Sequence, residues 1–396
     1  MGKNILFKLS GSIAAYKSCE LISKLVQKGF EVQVVATPST LKFVGAATLE
    51  GLTRRPALTD IFKDGNMMSH VELNRWADLT VLCPATGNIV NEMAAGISNN
   101  LVTTLFLAHD FKKPYLVAPA MNEKMYQHPA TQAAIKKLSS WGLNVLPVDN
   151  GYLGCGDVGE GRLLNIDRIY HEILLGLKSK GSGRGNVLVT SGGTAEPIDD
   201  VRAITNISSG KTAAHIAESY FFAGFDVTYV HATNATLPDV PCRKHSFKTF
   251  IDLQNLLREE LAISKFDVFI HAAAVGDFFV KSASGGKIDS SEGITLALGK
   301  NIKLLNMVKK WTANTRLNLV GFKLTVGAPQ EEKNLAIDKM FNESQCDYVV
   351  SNDLSEISDI SHRGEIWSTS GSKGKFASKR QLSENLVRLH LEGADL

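Results

Sequence analysis

Short runs of aliphatic and β-branched residues recur along this chain with room for one helix between neighbours, and that alternation constrains the fold most. In the first half the runs are NILFKL (4–9), EVQVVAT (31–37), LTVLCP (79–84), PYLVAP (114–119) and LNVLPV (143–148). Helix-length segments separate them: Ile13–Lys28, Thr86–His109, broken near Gly96, and Glu123–Trp141. Strands alternating with helices predict βαβ units and a parallel sheet covered on both faces.

The alternation stops at Lys178–Gly185 (KSKGSGRG), which has no apolar residue and three glycines and reads as a flexible linker. It restarts with NVLVTSG, a helix over Lys211–Ala223, DVTYVHAT, a helix near Phe250–Ala262, DVFIHAAA, LNLVGFKL and DYVVSND. Two α/β domains are therefore expected, residues 1–177 and 186–396, joined by a linker at 178–185. The total of 396 residues agrees, at about 150 residues per domain.

A hydrophobic fraction of 44% with 21% charged residues describes a globular chain. A net charge of +3 leaves no footprint for nucleic acid. No apolar run approaches the roughly 18 residues of a membrane span, so no membrane partner is expected. The opening MGKNILFKLSGSIAAYK has the outline of a signal peptide, but Lys8 interrupts it and Ile5-Leu6-Phe7 fits a first strand. Leu6 stands where a myristoylation signal wants Ser or Thr. The five cysteines (Cys19, Cys83, Cys155, Cys242, Cys346) are odd in number, scattered and without a C-x-x-C pair. That predicts free thiols in a reducing, cytoplasmic setting rather than a zinc site or a disulfide frame.

One of those thiols lies in GYLGCGDVGEGRLL, where Gly154–Gly159 spells the G-x-G-x-x-G of a dinucleotide-binding turn. That fingerprint needs the glycines between a strand and the helix they open, with another strand beyond. Here the loop runs on through Gly161, the next helical pattern starts near Asn165–Ile166, and the linker follows. The crossover is incomplete, which argues against a nucleotide cradle. Cys155 is flanked by glycines on an expected surface loop, where Asp157 and Glu160, if close, would keep the proton on sulfur. Such a thiol is a poor nucleophile but a serviceable proton donor; a small buried apolar residue is the competing reading.

Further segments sharpen the choice: Gly11-Ser-Ile-Ala-Ala-Tyr-Lys17, the lone histidine of Ser69-His-Val-Glu-Leu73, Pro84-Ala-Thr-Gly-Asn-Ile89, and Pro119-Ala-Met-Asn-Glu-Lys-Met-Tyr126. Taken singly, each has a plain account. Gly11-Ser12 suits an ordinary βα turn, whose N–H groups also suit phosphate. His70 suits a solvated helix start or proton transfer near neutrality, and Asn122 suits an N-cap. In this order, with Cys155 in its loop, they resemble the flavin-containing cysteine decarboxylases, specifically the 4'-phosphopantothenoylcysteine decarboxylases. The resemblance implies an FMN site at Gly11, Ser12, Ile13, Thr40, Phe43, Thr86 and Asn88. It also implies oxidative decarboxylation, with His70 as a proton-transfer group, Asn122 on the carboxylate that is lost, and Cys155 protonating the resulting enethiol. Gly87 and Ile89 depart from the Ala and Thr more usual in that family.

In the second half, Val189-Thr-Ser-Gly-Gly-Thr-Ala-Glu-Pro-Ile-Asp-Asp-Val-Arg202 leads into Thr205-Asn-Ile-Ser-Ser-Gly-Lys-Thr212. A Gly-rich turn after a strand and Ser-Ser-Gly-Lys opening a helix both suit anions, although a Walker A loop lacks its first glycine here. With Ala272-Ala-Ala-Val-Gly-Asp277 and Lys287-Ile, these segments resemble phosphopantothenate–cysteine ligase. The resemblance implies that Asn206 holds an acyl-nucleotide, that Lys287 supplies the cation where a carboxylate attacks the α-phosphate, and that Asp277, Asn301, Phe322 and Lys339 bind the nucleotide. Alone, Lys287 reads as a solvated loop lysine and Phe322 as core or base-stacking. Departures are Asp289-Ser290 for a basic pair and Asn301-Ile-Lys-Leu-Leu305 for Asn-Pro-Asp-Ile-Leu, which leaves CTP and ATP both open.

Together the halves resemble the bifunctional decarboxylase–ligase family of coenzyme A synthesis. The implied fold is α/β, with two doubly wound Rossmann-like domains, an N-terminal flavoprotein domain and a C-terminal ligase domain. The implied small molecules are 4'-phosphopantothenate, L-cysteine, CTP or ATP, FMN and Mg2+. The implied assembly is a homo-oligomer of trimeric flavin and dimeric ligase domains. The alternatives are a non-catalytic FMN-binding regulatory subunit, which His70, Asn122 and Cys155 together oppose, and an NAD-dependent two-domain dehydrogenase.

Overall fold

A computed structural model describes residues 3–60, 69–152, 156, 158–178, 184–289, 293–358 and 361–392, and the chain divides into the units Met1–Leu177 and Lys178–Leu396. In the first, β1 (Asn4–Leu9), β2 (Glu31–Ala36), β3 (Leu79–Ala85), β4 (Tyr115–Pro119) and β5 (Asn144–Val145) form a parallel sheet ordered β2-β1-β3-β4-β5. Ile5 of β1 registers with Val32 on one side and Leu79 on the other. Helices cover both faces, so strands read as continuous apolar runs, and β3 is buried along its whole length. The helix Ala15–Gln27 turns Ala15, Ser18, Leu21, Ile22 and Leu25 inward, the spacing of one helical face.

The expected break near Gly96 is present. Gly96 takes a left-handed φ of 71° to end the helix Gly87–Ala95, and Asn100 opens Leu101–Leu107 through a capping box with Thr103. The segment 123–141 also divides, into Glu123–Gln127 and Pro129–Ser140, because Pro129 offers no N–H and holds His128 in an extended conformation. LNVLPV contributes only the two residues of β5. Beyond it comes an element the residue pattern did not announce: β6 (Asp149–Tyr152) and β7 (Val158–Arg162) pair as an antiparallel hairpin. Leu153–Cys155 and Asp157, between the two strands in sequence, lie outside the described residues.

The second unit comprises β8 (Asn186–Ser191), β9 (Ala195–Pro197), β10 (Ala203–Thr205), β11 (Asp226–Ala232), β12 (Arg243–Phe247), β13 (Val268–His271), β14 (Phe278–Val280), β15 (Leu298–Lys300), β16 (Asn318–Thr325), β17 (Tyr348–Ile357), β18 (His362–Ser368) and β19 (Gly371–Phe376). Its main sheet is eight-stranded, ordered β12-β11-β8-β13-β16-β17-β18-β19. The strands from β12 to β17 are parallel, as expected. The last two are antiparallel, because Ile357 to His362 is too short a link for a helical crossover. Phe250, Leu253, Leu257 and Leu261 of the helix Phe250–Ile263 pack onto this sheet with Leu188, Phe269 and Leu319.

Both units are thus doubly wound α/β folds. Strand order reverses between β1 and β3 in the first and between β8 and β13 in the second. A crevice opens at the carboxyl ends of the strands at such a switch point. Among the described residues no helix is long and apolar enough to cross a membrane.

Candidate active sites

At the switch point of the first sheet lies a cavity of about 560 Å3, lined by Gly11, Ser12, Ser39, Thr86, Asn88 and Met125 among others. Ser10 joins its two sides: its hydroxyl donates to Pro84 O at 2.7 Å and accepts from Thr86 N–H at 2.9 Å. Thr86 in turn caps the helix Gly87–Ala95, accepting from Ile89 N–H at 3.4 Å. A Cβ on Gly11 would stand 2.5 Å from Ser39 Oγ, so only glycine lets these two turns approach. Beside the Thr86 cap a Cβ on Gly87 would meet Met125 Cε at 3.1 Å and Met121 Sδ at 3.4 Å. Hydroxyls, a helix N-terminus and the thioethers packed beside it fit a phosphate joined to a flat apolar ring system.

Four residues expected at the FMN site, Gly11, Ser12, Thr86 and Asn88, line this cavity. Asn88 donates to Glu92 at 2.7 Å. Thr40 is fully buried beneath it, donating to Leu9 O at 3.0 Å and fixing the end of β1. Ile13 and Phe43 are exposed, and Ile13 lines the neighbouring cavity. Sequence reasoning missed Ser10 and Ser39, whose only signal was their place at strand ends.

The neighbouring cavity, about 390 Å3, shares Ser12, Ala120 and Met121 with the first and adds Lys17, Asn122 and Arg162. Asn122 caps the helix Glu123–Gln127, accepting from Lys124 N–H at 2.9 Å. The hairpin forms a wall. Met121 N–H donates to Gly161 O at 2.9 Å, and Glu160 N–H donates to Glu123 Oε1 at 3.3 Å. A Cβ on Gly159 would lie 2.6 Å from the Glu123 carboxylate, and one on Gly161 2.3 Å from Met121 O. Those glycines let the hairpin lie flat on the Asn122 turn. Cys155 lies outside the described residues, as does the side chain of His70 in the helix Ser69–Trp76.

At the second switch point, Ala274 N–H donates to Gly192 O at 2.8 Å, and Gly276 N–H donates to Thr194 Oγ1 at 2.9 Å. Asn206 reaches across, its amide donating to Val275 O at 3.1 Å and Ala274 O at 3.3 Å. A Cβ on Gly193 would lie 2.3 Å from Asn206 O. Asn301 donates to Gly276 O at 2.9 Å, and Asp277 pairs with Lys303 at 3.5 Å. Asn206, Asp277 and Asn301 are therefore gathered on one backbone turn. Lys287 is exposed, but the residues on both sides of it are held: Gly286 N–H donates to Asp200 at 2.8 Å and Ile288 N–H to Asp199 at 3.1 Å. Asp199 is 4% exposed; burial raises its pKa, but the N–H groups of Val201, Arg202 and Ile288 and the Arg202 guanidinium outweigh that and lower it. The gap between motif and lysine hid this clamp in the sequence.

Phe322 is half-buried in β16. Lys339 projects from the exposed face of the helix Gln330–Ser344 and pairs with Glu343 at 3.6 Å rather than joining the turn. His271, another residue not anticipated, is buried with Nδ1 2.9 Å from the Thr190 hydroxyl; burial pushes its pKa down to about 4. Among the described residues no group of His, Cys, Asp and Glu is disposed to hold a metal.

Two doubly wound α/β units, the first with a polar cavity at its switch point and the second with a polar backbone turn there, give the architecture that many flavin- and nucleotide-binding proteins share. Residues 1–177 match the Flavoprotein family, and residues 183–392 match the DNA/pantothenate metabolism flavoprotein C-terminal domain. The coenzyme A biosynthesis bifunctional protein CoaBC of Thermococcus kodakarensis is 33% identical over 358 residues, 89% of this chain and 86% of the relative. That of Bacillus subtilis is 34% identical over 362 residues, again 89% and 86%. The crystal structure of the DNA/pantothenate metabolism flavoprotein from Streptococcus pneumoniae is 27% identical, covering 52% of this chain and 99% of that one at a TM-score of 0.47. The chain belongs to the CoaBC family of bifunctional coenzyme A biosynthesis proteins.

Proposed function

We propose that this protein is a bifunctional coenzyme A biosynthesis enzyme, in which the second unit ligates 4'-phosphopantothenate to cysteine and the first decarboxylates the product to 4'-phosphopantetheine. The observation that carries this reading is the pair of joined cavities at the first switch point, one fitted to a flavin phosphate and ring, the other opening on Asn122. Family membership favours neither a regulatory subunit nor a dehydrogenase.

FMN, when bound, supplies the two-electron oxidation of the cysteinyl group and its later reversal. Gly11, Ser12 and the helix start at Thr86–Asn88 would hold its phosphate and edge, with Ile13, Thr40 and Phe43 framing the turn. The Asn122 side chain donates from its amide NH2 to the departing carboxylate, while its Oδ1 accepts from Lys124 N–H and caps the helix. Cys155 protonates the enethiol, and His70 moves a proton near neutrality. In the second unit Asn206 holds the acyl-nucleotide and Lys287 stabilises charge at the α-phosphate. Asp277, Asn301, Phe322 and Lys339 contact CTP or ATP, whose phosphates carry Mg2+. The working assembly is a cytoplasmic homo-oligomer with trimeric flavin units and dimeric ligase units.

The test is to incubate the protein with phosphopantothenate, cysteine and CTP or ATP in turn, following pyrophosphate and CO2. Pyrophosphate followed by CO2 from a yellow protein supports the reading. A colourless protein that releases neither would sink it.

A further inference from the structure

Three backbone carbonyls converge on one ammonium group that lines neither cavity of the first unit. Lys113 Nζ donates to Asn74 O at 2.9 Å, Arg75 O at 2.6 Å and Ala77 O at 2.7 Å. An ammonium has three donors, so all of them are used on the end of the helix Ser69–Trp76. A helix leaves its last four carbonyls without partners of its own. Here Leu73 O accepts from Ala77 N–H at 3.0 Å, Trp76 O accepts from the Asn4 amide at 3.0 Å, and Lys113 takes the two between. Its charge also meets the negative end of the helix dipole.

Among the described residues, the hydrogen bonds that hold this helix from outside fall on residues 74–76 and on Ala77 just beyond. Asn74 donates to Leu105 O at 2.9 Å, and the Arg55 guanidinium lies 5.3 Å from the Trp76 ring. Position 70, one turn before Asn74, takes its place from this anchored end. Lys113 is itself part of a braced entry into β4. Its N–H donates to Asp110 O at 2.9 Å, its carbonyl lies 3.1 Å from His109 Nε2, and Pro114 O accepts from Thr80 N–H at 3.1 Å. β4 is buried along its whole length and leads into the Asn122 turn, where Ala120 N–H donates to Ala85 O at 2.9 Å. One strand thus carries the anchor of the His70 helix at its start and Asn122 at its end.

We infer that Lys113 is a positioning residue for the decarboxylation: by capping the helix Ser69–Trp76 it sets position 70 relative to Asn122. The consequence for catalysis rests on the roles of His70 and Asn122 proposed above; the cap itself does not. Groups that act on one substrate lose rate steeply when one of them is displaced, which is the penalty Lys113 prevents.

The test is a double-mutant cycle on the purified, flavin-loaded full chain, supplied with 4'-phosphopantothenoylcysteine. Lys113→Met should lower kcat for CO2 release by about tenfold at unchanged KM. Flavin absorption and pyrophosphate release should stay as in the wild type, which shows that both units remain folded. Hydrogen exchange should quicken at the amides of residues 71–77. Lys113→Arg, whose planar fork reaches fewer of the three carbonyls, should recover part of the rate. In a His70→Gln background Lys113→Met should cost nothing further. An unchanged kcat in Lys113→Met, beside a slow His70→Gln, would refute the inference alone. So would a loss of the same factor in both backgrounds, since Lys113 would then act on something other than His70. A wild type that releases no CO2, or a His70→Gln variant as fast as the wild type, would refute the function proposed above and this inference with it, leaving Lys113 a helix cap and nothing more.

Discussion

Asp199 and Asp200 show how the backbone around an exposed side chain is set by residues far from it in sequence. Lys287 has no buried surroundings to hold it, yet the N–H groups on either side of it end on those two carboxylates. Asp200→Ala frees one of these peptides. We expect at least a tenfold fall in pyrophosphate release, with CO2 release from supplied 4'-phosphopantothenoylcysteine unchanged and Asp200→Asn restoring part of the loss. A coupled assay of both products checks it. Cys155→Ser is expected to stop after CO2 release, leaving a product that mass spectrometry finds lighter than 4'-phosphopantetheine by a hydrogen pair. Normal 4'-phosphopantetheine from that variant would refute the donor role.

The hairpin β6–β7 is the element on which the decarboxylase reading turns. It is held by backbone contacts that only glycine permits, so Gly161→Ala, with φ at 130° and a Cβ 2.3 Å from Met121 O, should push it off the Asn122 turn. The expected outcome is retained flavin with CO2 release reduced by more than about tenfold. Gly11→Ala, at 2.5 Å from Ser39 Oγ, should instead yield protein that purifies without flavin colour. These two glycines also mark where sequence reasoning stopped. Parallel strands such as LTVLCP were legible because burial on both faces makes them uniformly apolar. The hairpin strands DNGY and VGEGR were not, because they lie against a turn rather than in a core and carry glycine where β-branched residues would signal a strand. Asn122 was legible as an N-cap, which it is. Glu123, Lys113 and Ser39 were not, because their roles depend on segments that meet only in the fold.

Acidity should weaken the whole molecule through groups in both units. Burial pushes His109, His271 and His390 each down to about 4. In the unfolded chain the same imidazoles take a proton near 6.5. Between those values the unfolded state binds protons that the native state refuses, so stability is full above about pH 6.5 and is lost as pH falls toward 4. Asp353, held well below the usual carboxylate range by the Gly327 N–H and the Ser355 and Thr325 hydroxyls, adds loss in the same direction at lower pH. Denaturant midpoints measured from pH 7.5 to 5 should fall steadily for both units, and His271→Gln should flatten the slope of the second alone. A midpoint that rises on acidification would contradict the burial argument.

The two sheets differ in one respect that no substitution can alter. The first runs 2-1-3-4-5, and the parallel strands of the second, numbered within the unit, run 3-2-1-4-5-6. A gene that had doubled itself would have left both halves wound alike. These windings, with different family models over residues 1–177 and 183–392, set the two halves apart as different folds rather than tandem copies of one.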